Sequence, residues 1–318
     1  MEKDYYDQAA TVFSPEGRIF QVEYSREAVK RGGLAMGIIY KDGILFTIDK
    51  AVSSPLIEEI DLEKFFKITS TVGAAASGLI ADARILIEIL RDKAQEEKKK
   101  YGEKPDLKIL VLWVSKIYEI YTRYEGVRPF GTALIIGGYD EQGFHVYETD
   151  PSGVFQERKA TAIGKGSVKA VEILERAYVP DLSREEAIGL ALRILEETLH
   201  ERPQDIRKGE EIHILTRDGF EVLDLDTDVD IDSILKDVNL ERINGKNDRG
   251  RKEHVEKTAL ESFLDQIPKL PLQAKKNIKD RFKDLKTLEK ASEDDLMAVD
   301  GIGKATARKI LQALKDRD

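Results

Sequence analysis

The sequence has no cysteine, one tryptophan and four histidines among its 318 residues. Without thiols it can form neither disulfides nor thiolate metal sites, and a reducing compartment suits it. The histidines are scattered and lack the spacing of a metal site, so no metal or other cofactor is expected. Two of them, His145 and His213, fall in predicted strands, where we expect a structural role.

Long hydrophobic runs are also absent. No run of 18 apolar residues exists, so the sequence predicts no membrane span. Residues 1–10 lack the basic start and apolar core of a secretory signal, and we expect a cytoplasmic protein. Instead, 35% of the residues are charged, which suits a very soluble protein. The length suits one large domain and one small domain.

Charge divides the chain in two. Residues 239–318 hold 19 Lys and Arg against 15 Asp and Glu, a net charge of +4. Residues 1–238 hold 32 against 45, a net charge of −13. Residues 233–256 are polar and rich in turn formers, as in a solvated linker. The sequence therefore predicts one domain over residues 1–232, a linker over 233–256 and a second domain over 257–318.

The first domain alternates between groups of strands and pairs of helices. Apolar periodicity predicts helices at 79–99, 107–121, 167–178 and 183–202, and strands at 34–40, 44–48, 71–77, 132–138, 144–150, 154–164, 211–216 and 220–223. Asp-Gly turns at Gly43 and Gly219 indicate hairpins, and Ser183 with Glu186 forms a capping box. This order excludes a doubly wound parallel sheet. It favours an α+β fold, a four-layer α-β-β-α sandwich with a helix pair on each outer face.

The amino-terminal segment carries a specific motif. Residues 6–24 read YDQAATVFSPEGRIFQVEY, with turn chemistry at 14–17 and then an amphipathic helix that Gly32 and Gly33 end. The segment resembles the amino-terminal signature of the α subunits of the 20S proteasome, of the archaeal type. Further blocks agree in order over residues 5–225: Lys64, SGLIADAR at 77–84, GVRPFG at 126–131, DPSG at 150–153 and KATAIG at 159–164.

The resemblance implies the Ntn-hydrolase fold and a ring of seven α subunits, identical or mixed, stacked on a ring of catalytic β subunits. Amino-terminal tails would meet at the axial pore and control the passage of substrates. The residues that the resemblance assigns to this gate are Tyr6, Asp7, Pro15 and Tyr24. The family usually has arginine after the Tyr-Asp pair, whereas this chain has Gln8, which leaves open how Asp7 is held and how tightly the pore closes.

The resemblance also implies a pocket between neighbouring subunits that receives the carboxy-terminal carboxylate of an AAA+ regulatory ATPase. Its members would be Lys64, Glu23, Gly32 and Leu79. A carboxylate that leaves water needs a cation, and a compact ammonium suits a single chain terminus. A lone lysine is otherwise most often a solvated surface residue, and only the motif context favours the pocket role for Lys64.

Catalytic members of this fold expose Thr, Ser or Cys as the first residue of the mature chain, with its own amine as the base. Residues 32–35 occupy the equivalent place and read GGLA. Asp49 and Lys64 would sit where catalytic relatives keep an Asp and a Lys, but without a nucleophile they would be inert. Residues 164–167, GKGS, lack the full spacing of a phosphate loop and are interpreted as a strand-to-helix turn. We therefore expect a subunit that is not a protease by itself.

The carboxy-terminal segment resembles a tandem helix-hairpin-helix domain. Residues 296–311 read LMAVDGIGKATARKIL, in which Gly301 and Gly303 allow a tight turn before a helix whose amides can take a phosphate. Lys304 and Arg308 add positive charge, so binding to double-stranded DNA would be salt-sensitive. The partner motif at 267–275 lacks the expected glycines and is interpreted as packing only. A small protein-interaction or tethering domain is the alternative.

Together these features predict a non-catalytic, ring-forming proteasome α-type subunit that gates a β-subunit chamber and carries a DNA-binding extension. One alternative is a proteasome-derived DNA-binding or scaffold protein that no longer pairs with β subunits. A third, less favoured interpretation is an Ntn enzyme with an unrecognised nucleophile.

Overall fold

The computed structural model describes residues 11–49, 63–102, 106–199 and 209–225, and a few positions between 227 and 234. In the carboxy-terminal part it describes 263, 264, 267, 271–282, 287, 288 and 291–315. The chain divides into two compact units, Met1–Ile243 and Asn244–Asp318. The predicted linker at 233–256 lies outside the described residues, apart from position 234.

The first unit contains ten strands in two five-stranded antiparallel sheets among the described residues. The first sheet has the order β10-β9-β2-β1-β8, and the second has the order β3-β4-β5-β6-β7. The strands are β1 Ala35–Tyr40, β2 Gly43–Asp49, β3 Phe65–Lys67, β4 Val72–Gly78, β5 Thr132–Asp140, β6 Gly143–Thr149, β7 Phe155–Arg158, β8 Ala160–Ile163, β9 Glu210–Thr216 and β10 Gly219–Leu223.

Five helices of this unit are described. They are α1 Phe20–Arg31, α2 Ile80–Tyr101, α3 Leu107–Tyr121, α4 Ser167–Ala177 and α5 Arg184–Leu199. The predicted capping box begins α5, because the Ser183 amide donates to Glu186 Oε2 at 3.0 Å and the Glu186 amide donates to Ser183 Oγ at 3.2 Å. Both predicted hairpins are present, β1 with β2 and β9 with β10.

Three separate apolar cores show how the layers stack. One core lies between the first sheet and helices α4 and α5, with Met36, Leu174 and Leu195 among its members. A second lies between the other sheet and helices α2 and α3. A third, which includes Phe46 and Ile135, lies between the two sheets. The predicted four-layer α-β-β-α sandwich is therefore confirmed.

The prediction of one strand at residues 154–164 is wrong. Strand β7 pairs with β6 in the second sheet, whereas β8 pairs with β1 in the first sheet. The chain changes sheets at Lys159, whose carbonyl accepts a hydrogen bond from the Ile39 amide at 2.9 Å. Residues 154–163 contain no Gly, Pro, Asn or Asp that would signal a break, and only the distant partner strands determine the change of sheet.

The two strand histidines have structural contacts. His145 in β6 lies between two carboxylates, with Nδ1 at 2.7 Å from Glu157 and Nε2 at 3.2 Å from Asp140. His213 in β9 is buried, and its ring stacks on Phe65 with centroids 4.0 Å apart. Among the described residues no group of three or more His, Cys, Asp and Glu side chains could hold a metal ion.

The second unit is a small helical body. Its described helices are α6 Leu272–Phe282, α7 Glu293–Met297 and α8 Lys304–Lys315. They share an apolar core of their own that includes Ile278, Leu296 and Ile310. Helix α7 begins with a capping box between Ser292 and Asp295. In the described part of the chain, no helix is both long enough and apolar enough to cross a membrane.

Candidate docking and gating site

The site begins where α1 ends and the chain passes through Gly32 and Gly33 into β1. A side chain at Gly32 would place its Cβ 2.2 Å from the Gly78 amide nitrogen. A side chain at Gly164, where φ is +92°, would place its Cβ 2.2 Å from the Gly33 carbonyl oxygen. Three backbone segments therefore meet at a distance that only glycine permits.

Lys64 reaches this junction from the strand β3 side. It is partly buried, and its Nζ donates a hydrogen bond to the Asp49 carbonyl oxygen at 2.6 Å. Its own carbonyl accepts from the Ala76 amide at 3.0 Å. An ideal Cβ at Gly33 would lie 2.3 Å from Asp49 Oδ2. Lys64, Asp49 and Gly33 are therefore neighbours, at the start of the first strand.

One hydroxyl side chain contacts the same junction. Ser77 Oγ donates to the Gly33 carbonyl at 2.8 Å and lies 3.3 Å from the Val29 carbonyl. Only 1% of Ser77 is exposed to solvent. A buried hydroxyl that donates to main-chain carbonyls holds the segments together. Neither of these two partners is a base that could activate the hydroxyl as a nucleophile.

The other predicted pocket residues lie around this junction or on α1. Leu79 follows Gly78, is 47% exposed, and donates its amide to the Gly131 carbonyl at 2.9 Å. Glu23 is bound by Arg18, whose Nε donates to its Oε1 at 2.7 Å. This hydrogen bond from Arg18 lowers the pKa of Glu23. The structure thus groups Gly32 and Leu79 at Gly78, and it pairs Glu23 with the turn before α1.

Two of the predicted gate residues can be placed. Pro15 lies in a turn that the Gly17 amide closes on the Ser14 carbonyl at 2.8 Å. Tyr24 lies on α1 and is 49% exposed. Tyr6 and Asp7, together with Gln8, lie outside the described residues.

The sequence blocks that carry the resemblance are joined by two ion pairs, which sequence reasoning missed. Arg128 donates to both oxygens of Asp82 at 2.6 and 2.8 Å, and the Gly131 amide donates to Asp82 Oδ2 at 2.8 Å. Burial alone would raise the pKa of Asp82, but these hydrogen bonds outweigh it and hold the pKa below its usual range. No local periodicity signals a pair 46 residues apart.

The second pair joins α1 to the DPSG block. Arg26 donates to both oxygens of Asp150 at 2.9 Å, and the Ser152 amide donates to Asp150 Oδ1 at 2.9 Å. The pKa of Asp150 is also lowered, since hydrogen bonds from Arg26 and Ser152 outweigh the effect of burial. A bidentate guanidinium–carboxylate pair fixes orientation as well as distance. It therefore sets the position of the helix that carries Tyr24.

The residues 164–167 form a turn from β8 into α4. The Lys165 amide donates to the Gly32 carbonyl at 2.8 Å, and the Ser167 amide donates to the Gly164 carbonyl at 3.1 Å. These two amides are engaged within the protein instead of being directed at a ligand.

The predicted helix-hairpin-helix residues lie in the turn between α7 and α8 and on α8 itself. Gly301 has φ of +83° in the hairpin between α7 and α8, while Gly303 precedes α8 and accepts from the Ala307 amide at 3.0 Å. Lys304 is exposed at the start of α8. Arg308, one turn later, donates from Nε to Glu293 Oε1 at 3.1 Å.

A four-layer sandwich with a junction of this kind at the start of its first strand is typical of the Ntn-hydrolase class. The family model described as "Proteasome subunit" matches residues 29–216. A second model, for the N-terminal signature of A-type proteasome subunits, matches residues 6–28. The model described as "Helix-hairpin-helix motif" matches residues 284–313.

Similar proteins agree with these matches. "Proteasome subunit alpha" of Methanopyrus kandleri is 47% identical over 219 residues, which cover 69% of this chain and 88% of that protein. The protein of the same description from Methanococcus vannielii is 42% identical over 78% of this chain and 93% of its own length. That of Methanothermobacter thermautotrophicus is 50% identical over 59% of this chain and 75% of its own length. The chain belongs to the proteasome α-subunit family.

Proposed function

We propose that this chain is a cytoplasmic, non-catalytic subunit that forms a seven-membered α ring and gates the passage of substrates into a chamber of β subunits. The observation that carries the proposal is the junction of Gly33, Asp49 and Lys64. We infer from the resemblance that glycine occupies the place of a catalytic relative's nucleophile, which would leave the lysine for docking instead of catalysis.

Lys64 suits the docking of a carboxylate for two physical reasons. Its hydrogen bond to the Asp49 carbonyl fixes the direction of the side chain, and an ammonium has three N–H donors, so donor capacity remains for a ligand. It is also partly buried, which weakens competition from water and salt. The proposed ligand is the carboxy-terminal carboxylate of an AAA+ regulatory ATPase.

An exposed apolar stripe supports assembly with other subunits. Ile109, Leu112 and Trp113 of α3 are each at least 40% exposed, while the opposite face of the helix lies in the core. Lys93 lies over the Trp113 ring, with Nζ 4.6 Å from its centroid. Clustered apolar side chains of this kind commonly mark protein–protein contacts. We assign the stripe to contact with a neighbouring subunit of the proposed particle.

Replacement of Lys64 by alanine tests the docking role. We expect Lys64→Ala to reduce stimulation by the ATPase, or by a peptide with the same carboxyl end, about 10- to 100-fold, because a charge-assisted hydrogen bond contributes ~1.5–3 kcal/mol. Small-peptide cleavage by the unstimulated α-β particle should not change. The readout is the rate of protein-substrate hydrolysis against activator concentration.

The matched control is Lys41→Ala, which removes an exposed lysine from the turn between β1 and β2. Equal stimulation of Lys64→Ala, Lys41→Ala and the unaltered particle would contradict the docking role of Lys64. Negative-stain imaging checks the particle, and its loss in Lys64→Ala alone would assign Lys64 a role in assembly instead of docking.

A second proposed activity is the binding of double-stranded DNA by residues 257–318. The family match to a helix-hairpin-helix motif supports it, as do the left-handed backbone at Gly301 and the exposed Lys304. The test is a gel shift of duplex DNA by the full chain, repeated with Gly301→Ala and Gly303→Ala combined. A salt-dependent shift that the double variant loses would support DNA binding. A shift that the double variant retains would contradict binding through this hairpin, and the absence of a shift at low salt would refute DNA binding.

A further inference from the structure

The hairpin segment, residues 292–309, carries no excess of positive charge. Residues 292–309 contain four acidic and three basic side chains. They are Glu293, Asp294, Asp295, Asp300, Lys304, Arg308 and Lys309. Proteins that hold DNA through phosphate contacts usually present a clearly basic face. One hairpin of this composition is therefore a weak ligand for a phosphate backbone.

The attraction of Arg308 for a DNA phosphate is reduced by the carboxylate of Glu293. The side chain of Arg308 is 65% exposed, and its Nε donates to Glu293 Oε1 at 3.1 Å. A phosphate that approaches α8 must share or replace this carboxylate. Within the described residues, the hairpin thus offers DNA only Lys304 and Lys309 as exposed cations for which no ion pair is seen.

A basic helix adjoins the hairpin. Asn277 of α6 donates from Nδ2 to the Asp300 carbonyl at 2.9 Å. The same helix carries four basic side chains and one acidic side chain, namely Lys275, Lys276, Lys279, Arg281 and Asp280. The positive charge of this helix attracts DNA toward the hairpin at long range, but its side chains are not arranged around a defined phosphate-binding site. The module is therefore suited to brief, salt-sensitive contact with a duplex.

We infer that the carboxy-terminal modules bind duplex DNA as an array: each module alone binds weakly, and useful affinity arises from several modules on one ring. This inference rests on the proposed function, both for the ring of seven copies and for DNA as the ligand. When one module is bound, the next meets the same duplex at a high effective concentration. Avidity of this kind raises affinity by roughly 10²–10⁴ without any new contact.

The inference predicts a strong dependence on DNA length. One duplex should be about 12 bp, little more than one helical turn, so that it accommodates one module. The other should be about 150 bp, close to the persistence length of DNA, so that several modules of one ring reach it. With the assembled full-length chain, we expect the long duplex to bind at least ~100-fold more tightly per base pair. Its salt slope should be at least twice as steep, because each added phosphate contact contributes about 0.9.

The control is Lys304→Ala with Lys309→Ala, which removes the two exposed cations that the hairpin offers to DNA and should abolish the length effect. Equal affinity per base pair for both duplexes would overturn the array. Absence of binding to either duplex, with intact rings in the images, would refute the proposed DNA activity itself. The two failures are therefore distinguishable.

A matched pair of charge variants tests the role of Glu293. Glu293→Gln and Asp294→Asn each remove one negative charge from the first turn of α7, but only the first releases Arg308. We expect Glu293→Gln to tighten binding of the short duplex about three-fold more than Asp294→Asn, and to steepen its salt slope by about one unit. Equal effects of the two variants on duplex affinity would contradict the claim that Glu293 weakens the interaction of Arg308 with DNA.

Discussion

Gly164→Ala is expected to destabilise the sandwich unit by about 2–6 kcal/mol. Two costs add. A non-glycine residue at φ of +92° is strained by ~1–3 kcal/mol. The new Cβ would also lie 2.2 Å from the Gly33 carbonyl oxygen and 2.4 Å from Ser77 Oγ. Relief of that overlap must move the backbone that separates α1 from β1, and forced overpacking costs ~1–3 kcal/mol.

The matched control is Gly126→Ala. Its φ is +84°, but nothing lies within 4 Å of the added Cβ. The control therefore incurs the backbone strain without the overlap. For a unit of this size we expect Gly164→Ala to lower Tm by about 10 °C and Gly126→Ala by a few degrees. Thermal unfolding at one fixed protein concentration measures both, because assembly makes Tm depend on concentration. A Tm of Gly164→Ala as high as that of Gly126→Ala would contradict the packing role of the junction.

Asp82→Ala is expected to destabilise the same unit by about 2–3 kcal/mol at pH 7. The change removes both hydrogen bonds from Arg128 and leaves the buried Gly131 amide without its acceptor. Arg128 itself is more than half exposed, so solvent screens part of the ion pair. Asp82→Asn should cost less, since its side-chain oxygen can still accept from Gly131. Urea unfolding of the unaltered chain, Asp82→Asn and Asp82→Ala measures the order of their unfolding free energies.

The pH dependence of the Asp82 effect has a definite sign. Because the folded protein lowers the pKa of Asp82, the carboxylate stabilises the fold fully above the unfolded pKa of about 3.9. That contribution is lost as the pH falls through the lower folded pKa. The difference in unfolding free energy between the unaltered chain and Asp82→Ala should be constant from pH 7 to pH 5 and shrink at pH 3. A difference that grows on acidification would be inconsistent with the ion pair.

Most of the sandwich could be predicted from the sequence because its signals are local. The Asp-Gly turn at Gly43 fixes the first hairpin, and amphipathic periodicity fixes helices such as α2. Strand β3 was missed because Phe65–Lys67 has three residues, too few to show an alternation of apolar and polar side chains. The change of sheet at Lys159 was missed because it depends on partner strands far away in sequence.

The candidate site was accessible through the resemblance and not through periodicity. Lys64 could be named because its motif context was recognised, whereas its contact with Asp49 joins the residue before strand β3 to strand β2 of the other sheet and has no local signal. The packing of Gly164 against Gly33 was not foreseen, since a turn glycine has no side chain to mark a long-range contact. The ion pair of Asp82 with Arg128 likewise joins two blocks that the sequence presents separately.

The most direct test of the proposed gating subunit is imaging and assay of the chain produced alone and together with proteasome β subunits. We expect seven-fold rings that stack on rings of β subunits, and peptide hydrolysis only when β subunits are present. Solitary particles of one chain, or peptide hydrolysis by the purified chain without β subunits, would contradict the proposal.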